Sequence, residues 1–284
     1  MDDNVYADTL NMTALDSIYA RQNRRPGHRA LRESTRVIGT WDDHGANDAG
    51  CSYPKRDRSQ AHVLDFMDVS EDHPGRERAG VYSTHTCGPP GKRAKVILLD
   101  TRHHRDPITR DPIGRQRYFP NEEGDILGEA QWEWLKRELR TSTAQVHLIG
   151  TSIQAVSSQH PWAKCANFPQ ARERLFRVID ASGVPEAVLL SGDRHISELS
   201  RHDEAAGDSL YEFTSSGLTH HAPMHEAANR HRVGPLVAAL NYGLVTIDWA
   251  ADPVTLRFEV RGTDNETLLD HTLSLSALRP SGGS

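Results

Sequence analysis

A chain of 284 residues with a formal net charge of −6 is long enough to bury one substantial core, and its 33 Lys and Arg against 39 Asp and Glu are interspersed. That pattern argues against a dedicated nucleic-acid surface, which needs a concentrated basic face. No apolar run approaches the ~20 residues of a membrane span. Three cysteines with no Cys-x-x-Cys pair argue against a thiolate zinc site and leave a single disulfide open. The start, Met1-Asp2-Asp3-Asn4, has neither the basic nor the apolar region of a secretion signal. The sequence as it stands therefore reads as cytoplasmic, and as exported only if a longer form carries a signal.

In chain order, residues 9–19 and 29–33 read as helical, split by a turn at Arg24-Arg25-Pro26-Gly27. Residues 36–41 read as a short apolar strand ending at Asp42-Asp43-His44, the end at which open α/β sheets place their chemistry. A polar loop over 45–58 leads to a brief helix at 61–66. Segments 80–83 and 94–99 are strand-like, and the second is a continuous apolar run, as expected of a strand covered on both faces. A charged loop with three prolines spans 102–125, a length that points to function or mobility. The helix predicted at 128–139 puts Trp132, Leu135 and Leu139 on one face. The strand at 146–150 ends at Thr151-Ser152-Ile153-Gln154, residues 172–179 are helical, and the buried-type strand at 187–190 ends at Ser191-Gly192-Asp193. A further strand covers 211–214, and 244–249, 254–260 and 271–275 form a meander. Alternating strands and helices with an antiparallel end predict an α/β layered sandwich, two sheets inside and helices outside, in one domain over 1–278 with a frayed tail at 279–284. A doubly wound single sheet is the alternative, without a glycine-rich phosphate loop to support it.

Three strand ends present polar groups after apolar runs: Trp41-Asp42-Asp43-His44, Gly150-Thr151-Ser152-Ile153-Gln154 and Ser191-Gly192-Asp193-Arg194-His195. Carboxylates at buried strand ends are costly unless paired or metal-bound. Mixed carboxylate and imidazole donors suit calcium, manganese, iron or zinc. With Asp3 and Tyr6 at the start of the chain, these segments read as scattered ligands of a polynuclear metal site. The competing structural reading is a helix N-cap with a surface histidine at 42–44, and a turn held by an Asp–Arg pair at 192–195. Of the sixteen histidines, clusters such as His103-His104 and His220-His221 read as solvated.

The segments Asp3-Asn4-Val5-Tyr6-Ala7-Asp8, Thr40-Trp41-Asp42-Asp43-His44, Leu99-Asp100-Thr101-Arg102, Leu127-Gly128-Glu129-Ala130-Gln131-Trp132, Ser152-Ile153-Gln154, Ser191-Gly192-Asp193-Arg194-His195 and Phe213-Thr214-Ser215-Ser216-Gly217 jointly resemble the alkaline phosphatase D (PhoD-like) metallophosphatases, in order and spacing over nearly the whole chain. The resemblance implies a calcineurin-like four-layer αββα sandwich. It implies a ferric iron with calcium ions, other divalent metals such as manganese or zinc being compatible, and hydrolysis of small or polymeric phosphomonoesters or phosphodiesters by a metal-activated hydroxide. It also implies roles. Asp3 would bridge the metals and Tyr6 would bind ferric iron as a phenolate. Asp43 would hold the second metal, and His44 would assist the leaving group or phosphate. Asp193 would stand on the calcium side and His195 on iron. Arg194, between two of these ligands, is a candidate phosphate contact, as are Arg102 and Arg105.

Three departures from the family pattern stand beside the match. Asp2 occupies a position where the family has glycine, and the family's first strand and first ligand motif have no counterpart here, so the fold is expected to lack them as an N-terminally truncated form. The loop after His44, Gly45-Ala46-Asn47-Asp48, is shortened, and Cys165 stands where the family has tryptophan. Loss of a strand is expected to expose unpaired edges and apolar surface. Two functions are compatible with this pattern: an active phosphoesterase, or a catalytically impaired remnant that keeps the fold.

Overall fold

The structure, a computed structural model, describes residues 4–46, 55–114, 117–184, 187–203, 209–222 and 228–275. The helices are α1 (Met12–Asn23), α2 (Pro26–Ser34), α3 (Asp43–Ala46), α4 (Arg56–Phe66), α5 (Glu129–Arg140) and α6 (Pro169–Ala181). The strands are β1 (Ser83–Cys87), β2 (Ala94–Leu98), β3 (Val146–Gly150), β4 (Ala187–Ser191), β5 (Ser197–Asp203), β6 (Ser209–Ser215), β7 (Arg232–Val237), β8 (Asn241–Asp248), β9 (Thr255–Gly262) and β10 (Thr267–Ser274).

Local chemistry sets several of the boundaries. Asn11 starts α1 because its Oδ1 accepts the N–H groups of Thr13 and Ala14 at 3.0 and 3.2 Å. Pro26 opens α2, where its missing N–H costs nothing. Asp125 secures the entry to α5 by accepting from the Ile126 and Gly128 amides and from the Trp132 indole, the last at 2.8 Å.

The strands form a seven-stranded sheet in the order β1-β2-β3-β4-β6-β5-β7 and a three-stranded antiparallel sheet, β10-β9-β8. Within the first, β2, β3, β4 and β6 run parallel, with antiparallel neighbours at both sides. Successive side chains of a strand face opposite ways. Ile97, Ile149 and Leu189 therefore meet α5 and α6 through Leu135, Leu139, Leu175 and Phe176. Their neighbours Leu148 and Val188, with Phe213, meet Leu256, Phe258 and Val260 of the second sheet. Burial on both faces explains why these strands are uninterrupted apolar runs. The alternate positions of β9 carry Arg257, Glu259 and Arg261, joined to one another and to Asp270 of β10 by ion pairs. A third cluster gathers α1 and α4 around Leu15, Tyr19, Trp41, Val63 and Phe66.

The mixed α/β architecture, with a large mainly parallel sheet and helices, agrees with the sequence expectation; three local features differ from it. Residues 36–42 are extended but pair with no strand among the described residues. The predicted strand at 80–83 begins instead at Ser83 and runs to Cys87. Strands β5 and β7 had no sequence signal. Cys87 is exposed and Cys165 is buried, and both are free thiols; Cys51 and the tail at 279–284 lie outside the described residues. No helix among the described residues is long and apolar enough to cross a membrane.

Candidate metal centre

The site forms where the segment 36–42 and the ends of β3 and β4 come together. Thr40 fixes the first: its hydroxyl donates to the Leu99 carbonyl at 3.1 Å, and its own carbonyl accepts from Asn4 at 3.0 Å. Trp41 is fully buried beside it. The chain then turns into α3, which presents Asp43 and His44. The β4 end is tied to the β3 end, since the Gly192 amide donates to the Ser152 carbonyl at 3.1 Å. Asp193 and His195 adopt φ values of 63° and 52°. Left-handed backbone costs about 1–2 kcal/mol for a residue with a side chain, and two such residues flanking Arg194 make a strained corner of the kind concentrated at functional sites. The corner is held by the Ser216 hydroxyl, which accepts the His195 amide at 3.0 Å, and by the His195 carbonyl, which accepts the Ala222 amide at 2.8 Å.

Carboxylate oxygens of Asp42, Asp43 and Asp193 lie within 4.8 Å of one another. Arg102 braces them. Its guanidinium is fully buried, donates from Nε to Asp42 at 2.6 Å and from Nη2 to the same carboxylate, and reaches Asp193 at 3.3 Å. Burial alone would lower the Arg102 pKa; Asp42, Asp43 and Asp193 together outweigh burial and raise it. Asp193 moves the other way from an ordinary carboxylate. Burial first, then the charges of Asp42 and Asp43, push its carboxyl well up against the pull of Arg102 and Arg194. Three carboxylates against the two guanidinium charges of Arg102 and Arg194 are still short of positive charge.

Continuous with this cluster through His44 and His195 is a group of rings. The Tyr6 hydroxyl is 2.8 Å from His195 Nε2. The Tyr6 ring centroid lies 4.4 Å from that of His44 and 5.0 Å from that of His220, and His220 stacks on His195 at 5.6 Å. His44 Nδ1 lies 2.8 and 2.9 Å from the two Asp8 carboxylate oxygens, a pairing that fixes the ring and leaves Nε2 to face elsewhere.

Of the residues singled out in the sequence, Tyr6, Asp43, His44, Asp193 and His195 are thus brought together, and Asp3 lies outside the described residues. Arg194 is buried, with its guanidinium carbon 5.8 Å from the centroid of the Trp162 ring. Arg102 commits its guanidinium to Asp42 and Asp193. Gln154 serves the framework: its amide donates to Glu198 and Thr214 at 2.8 and 2.9 Å. Asp8 and His220 carry contacts that the sequence reading gave no role, with only the position of Asp8 two residues after Tyr6 as a hint; Asp42 stood in the flagged Asp42-Asp43-His44 segment without a role of its own.

A family model described as PhoD-like phosphatase matches residues 17–249. Alkaline phosphatase D of Bacillus subtilis (strain 168) is 28% identical over 188 residues, covering 56% of this chain and 31% of that protein. A solved structure of PhoD superposes with a TM-score of 0.75 at 17% sequence identity, over 97% of this chain and 60% of that one. The chain spans less than two thirds of the length of either relative. With the family match running from α1 through β8, the chain belongs to the PhoD-like phosphatases.

Proposed function

We propose that this chain is a cation-dependent phosphoesterase acting on phosphomonoesters, phosphodiesters or both. One observation carries the proposal above the others: carboxylates from two distant segments, Asp42-Asp43 and Asp193, meet within 4.8 Å beside the Tyr6–His195 pair. Such a donor set fits metal ions. Its oxygens are hard donors, and its negative charge exceeds what Arg102 supplies. Asp43 and Asp193 would hold a calcium-type cation, and Tyr6 and His195 a ferric-type one, since a hard trivalent ion favours phenolate. Asp3 is the further proposed ligand, and manganese or zinc is compatible with the same donors. Bound cations would supply Lewis-acid polarisation of the phosphoryl group and activation of water.

The remaining steps belong to the chain. His44, oriented by Asp8, donates a proton to the departing alkoxide. Arg194, buried beside Asp193, contributes positive charge toward the phosphate. Arg102 keeps Asp42 and Asp193 at their separation. The Asp8–His44 and Tyr6–His195 contacts support the active enzyme over an impaired remnant, whose basis is the first ligand motif without a counterpart in the sequence.

The test is hydrolysis of p-nitrophenyl phosphate and its bis-ester by protein loaded with iron and calcium. Asp43→Asn should lower turnover by about a hundredfold and weaken cation binding while the fold is retained. Wild-type protein that binds neither cation and cleaves neither ester would overturn the proposal.

A further inference from the structure

Two backbone edges without a strand partner among the described residues border a cavity of about 550 Å³. One edge is β1, the terminal strand of the seven-stranded sheet, bonded to β2 on one side only. The other is the extended segment 35–39, in which the peptide groups of Val37, Ile38 and Gly39 bond to no backbone partner among the described residues. Segment 35–39 contributes five consecutive lining residues and β1 contributes Ser83, Thr84 and His85; Val81 and Tyr82, just ahead of β1, also line the cavity, with the Val81 amide donating to Asp100 and the Tyr82 carbonyl accepting from Arg78. Arg36 spans the gap between them, 3.0 Å from His85 Nδ1.

The lining has a definite chemistry. Its floor is apolar, from Val63 and Leu64 of α4 and Met67 just after it, with Val81 and Trp134. The polar part is cationic, from Arg36, Arg78, His73 and His85; the one lining carboxylate, Asp68, is held by Arg32. Two polar atoms in the wall, Thr84 Oγ1 and Arg78 Nε, are buried without a hydrogen-bond partner. Burial, then Arg36 and His73, push the His85 pKa down, as an excess of positive charge around it requires.

Peptide groups seldom go unpaired in native proteins, and an open edge is a template for a further strand. A small anion would satisfy the arginines and leave both edges bare. A strand satisfies both, at about 4.8 Å from each neighbour and with successive side chains on opposite faces. We propose that this slot binds an extended peptide of alternating apolar and acidic residues as an added strand between β1 and segment 35–39. Its apolar side chains cover the α4–Trp134 floor and its carboxylates meet Arg36 and Arg78. Main-chain bonds supply the affinity and the alternation supplies the specificity.

The probe is an acetylated, amidated seven-residue peptide alternating valine and glutamate, titrated into the full chain and followed by hydrogen exchange. Saturable binding should slow exchange of the 37–39 and 83–85 amides about tenfold or more. A proline at the central position, which removes a ladder donor, should weaken binding about tenfold or more. So should lysine in place of glutamate, and Arg36→Glu, on the surface and away from the carboxylate cluster, should reverse that preference. Absence of binding, binding indifferent to the central proline, or protection confined to other segments would each overturn the proposal. An equal affinity for the lysine peptide would overturn its assignment to an acidic partner.

Discussion

Replacing Arg102 by methionine tests the electrostatic account of the centre most directly. The substitution keeps an unbranched apolar stem of similar length and deletes a guanidinium that touches both Asp42 and Asp193. In the cation-free protein Asp42, at 0% side-chain exposure, then loses its paired charge and takes up a proton. The penalty is capped by the free energy of protonating a carboxyl whose unfolded pKa is about 3.9, at about 1.4 kcal/mol per pH unit. That gives about 4 kcal/mol at pH 7 and about 1.5 kcal/mol at pH 5, in line with the 3–5 kcal/mol typical of a broken buried ion pair. The sign follows from the direction of the shift. A carboxyl whose folded pKa is raised is most favourable when protonated, so the variant loses stability as pH rises. At about 2–4 °C per kcal/mol, Tm should fall by about 8–16 °C at pH 7 and about 3–6 °C at pH 5. Thermal unfolding with chelator present, at both pH values, measures this. Added calcium should restore part of the loss, because a cation replaces the missing charge. A fall under about 2 °C at pH 7, or one independent of pH, would refute the view that Arg102 holds the cluster by charge.

Other outcomes follow from single contacts. His44→Ala should lower turnover about a hundredfold with cation affinity unchanged, and Asp8→Asn should lower it by a smaller factor in the same direction; full activity of His44→Ala would remove that residue from the chemistry. His160 is buried, and burial followed by Arg194 and Lys164 pushes its pKa down to about 2. Its stabilisation is therefore complete above about pH 6.5 and lost as pH falls below that, by about 2 kcal/mol at pH 5; denaturant titrations at the two pH values should show this loss, and His160→Leu should abolish it. Phe258→Ala, in the layer between the two sheets, should lower stability by about 3–5 kcal/mol in a urea titration without altering cation affinity.

What could be read in the sequence, and what could not, divides along contact order. The parallel strands were legible because burial on both faces leaves a continuous apolar run, as at Ile97-Leu98-Leu99. The same signal misled at 36–41, because apolar composition reports burial and not pairing. Strand β5 escaped because its burial is largely polar, and β7 because it is mostly exposed and interrupted by Gly234-Pro235. Glu198 is 1% exposed, yet Gln154, Asn229 and Arg232 satisfy it from elements up to 44 residues away. The knots at Asp42-Asp43-His44 and Asp193-Arg194-His195 announced chemistry by density alone. Their partners did not. Arg102 reaches Asp42 across 60 residues and Asp8 reaches His44 across 36, and no local pattern encodes either meeting. His220, taken for a solvated loop residue, is exposed and still stacks on His195, so exposure did not separate the idle histidines from the useful ones.

The slot and the centre share one piece of chain, and that sharing has a measurable consequence. Segment 35–39 borders the slot, and the residues that follow it present Asp42, Asp43 and His44. Between the two, the recorded anchors are the Thr40 hydrogen bonds to Leu99 and Asn4 and the buried Trp41 ring. Just upstream of Thr40, Val37, Ile38 and Gly39 bond to no backbone partner among the described residues, so part of the ordering of the Asp42–His44 corner falls on whichever ligand binds first. A strand bonded to Val37–Gly39 fixes the corner in advance and removes that cost from cation binding. Linkage then requires that cations tighten the peptide by the same factor as the peptide tightens cations, with couplings of this kind typically about 5–150-fold. Calorimetric titration of calcium with and without the valine–glutamate peptide, and of the peptide with and without calcium, measures both sides of the cycle. Two equal factors above about fivefold are expected. Factors of one in both directions would mean that Trp41 and Thr40 already hold the corner rigid, and that strand addition, even where it occurs, leaves the centre untouched.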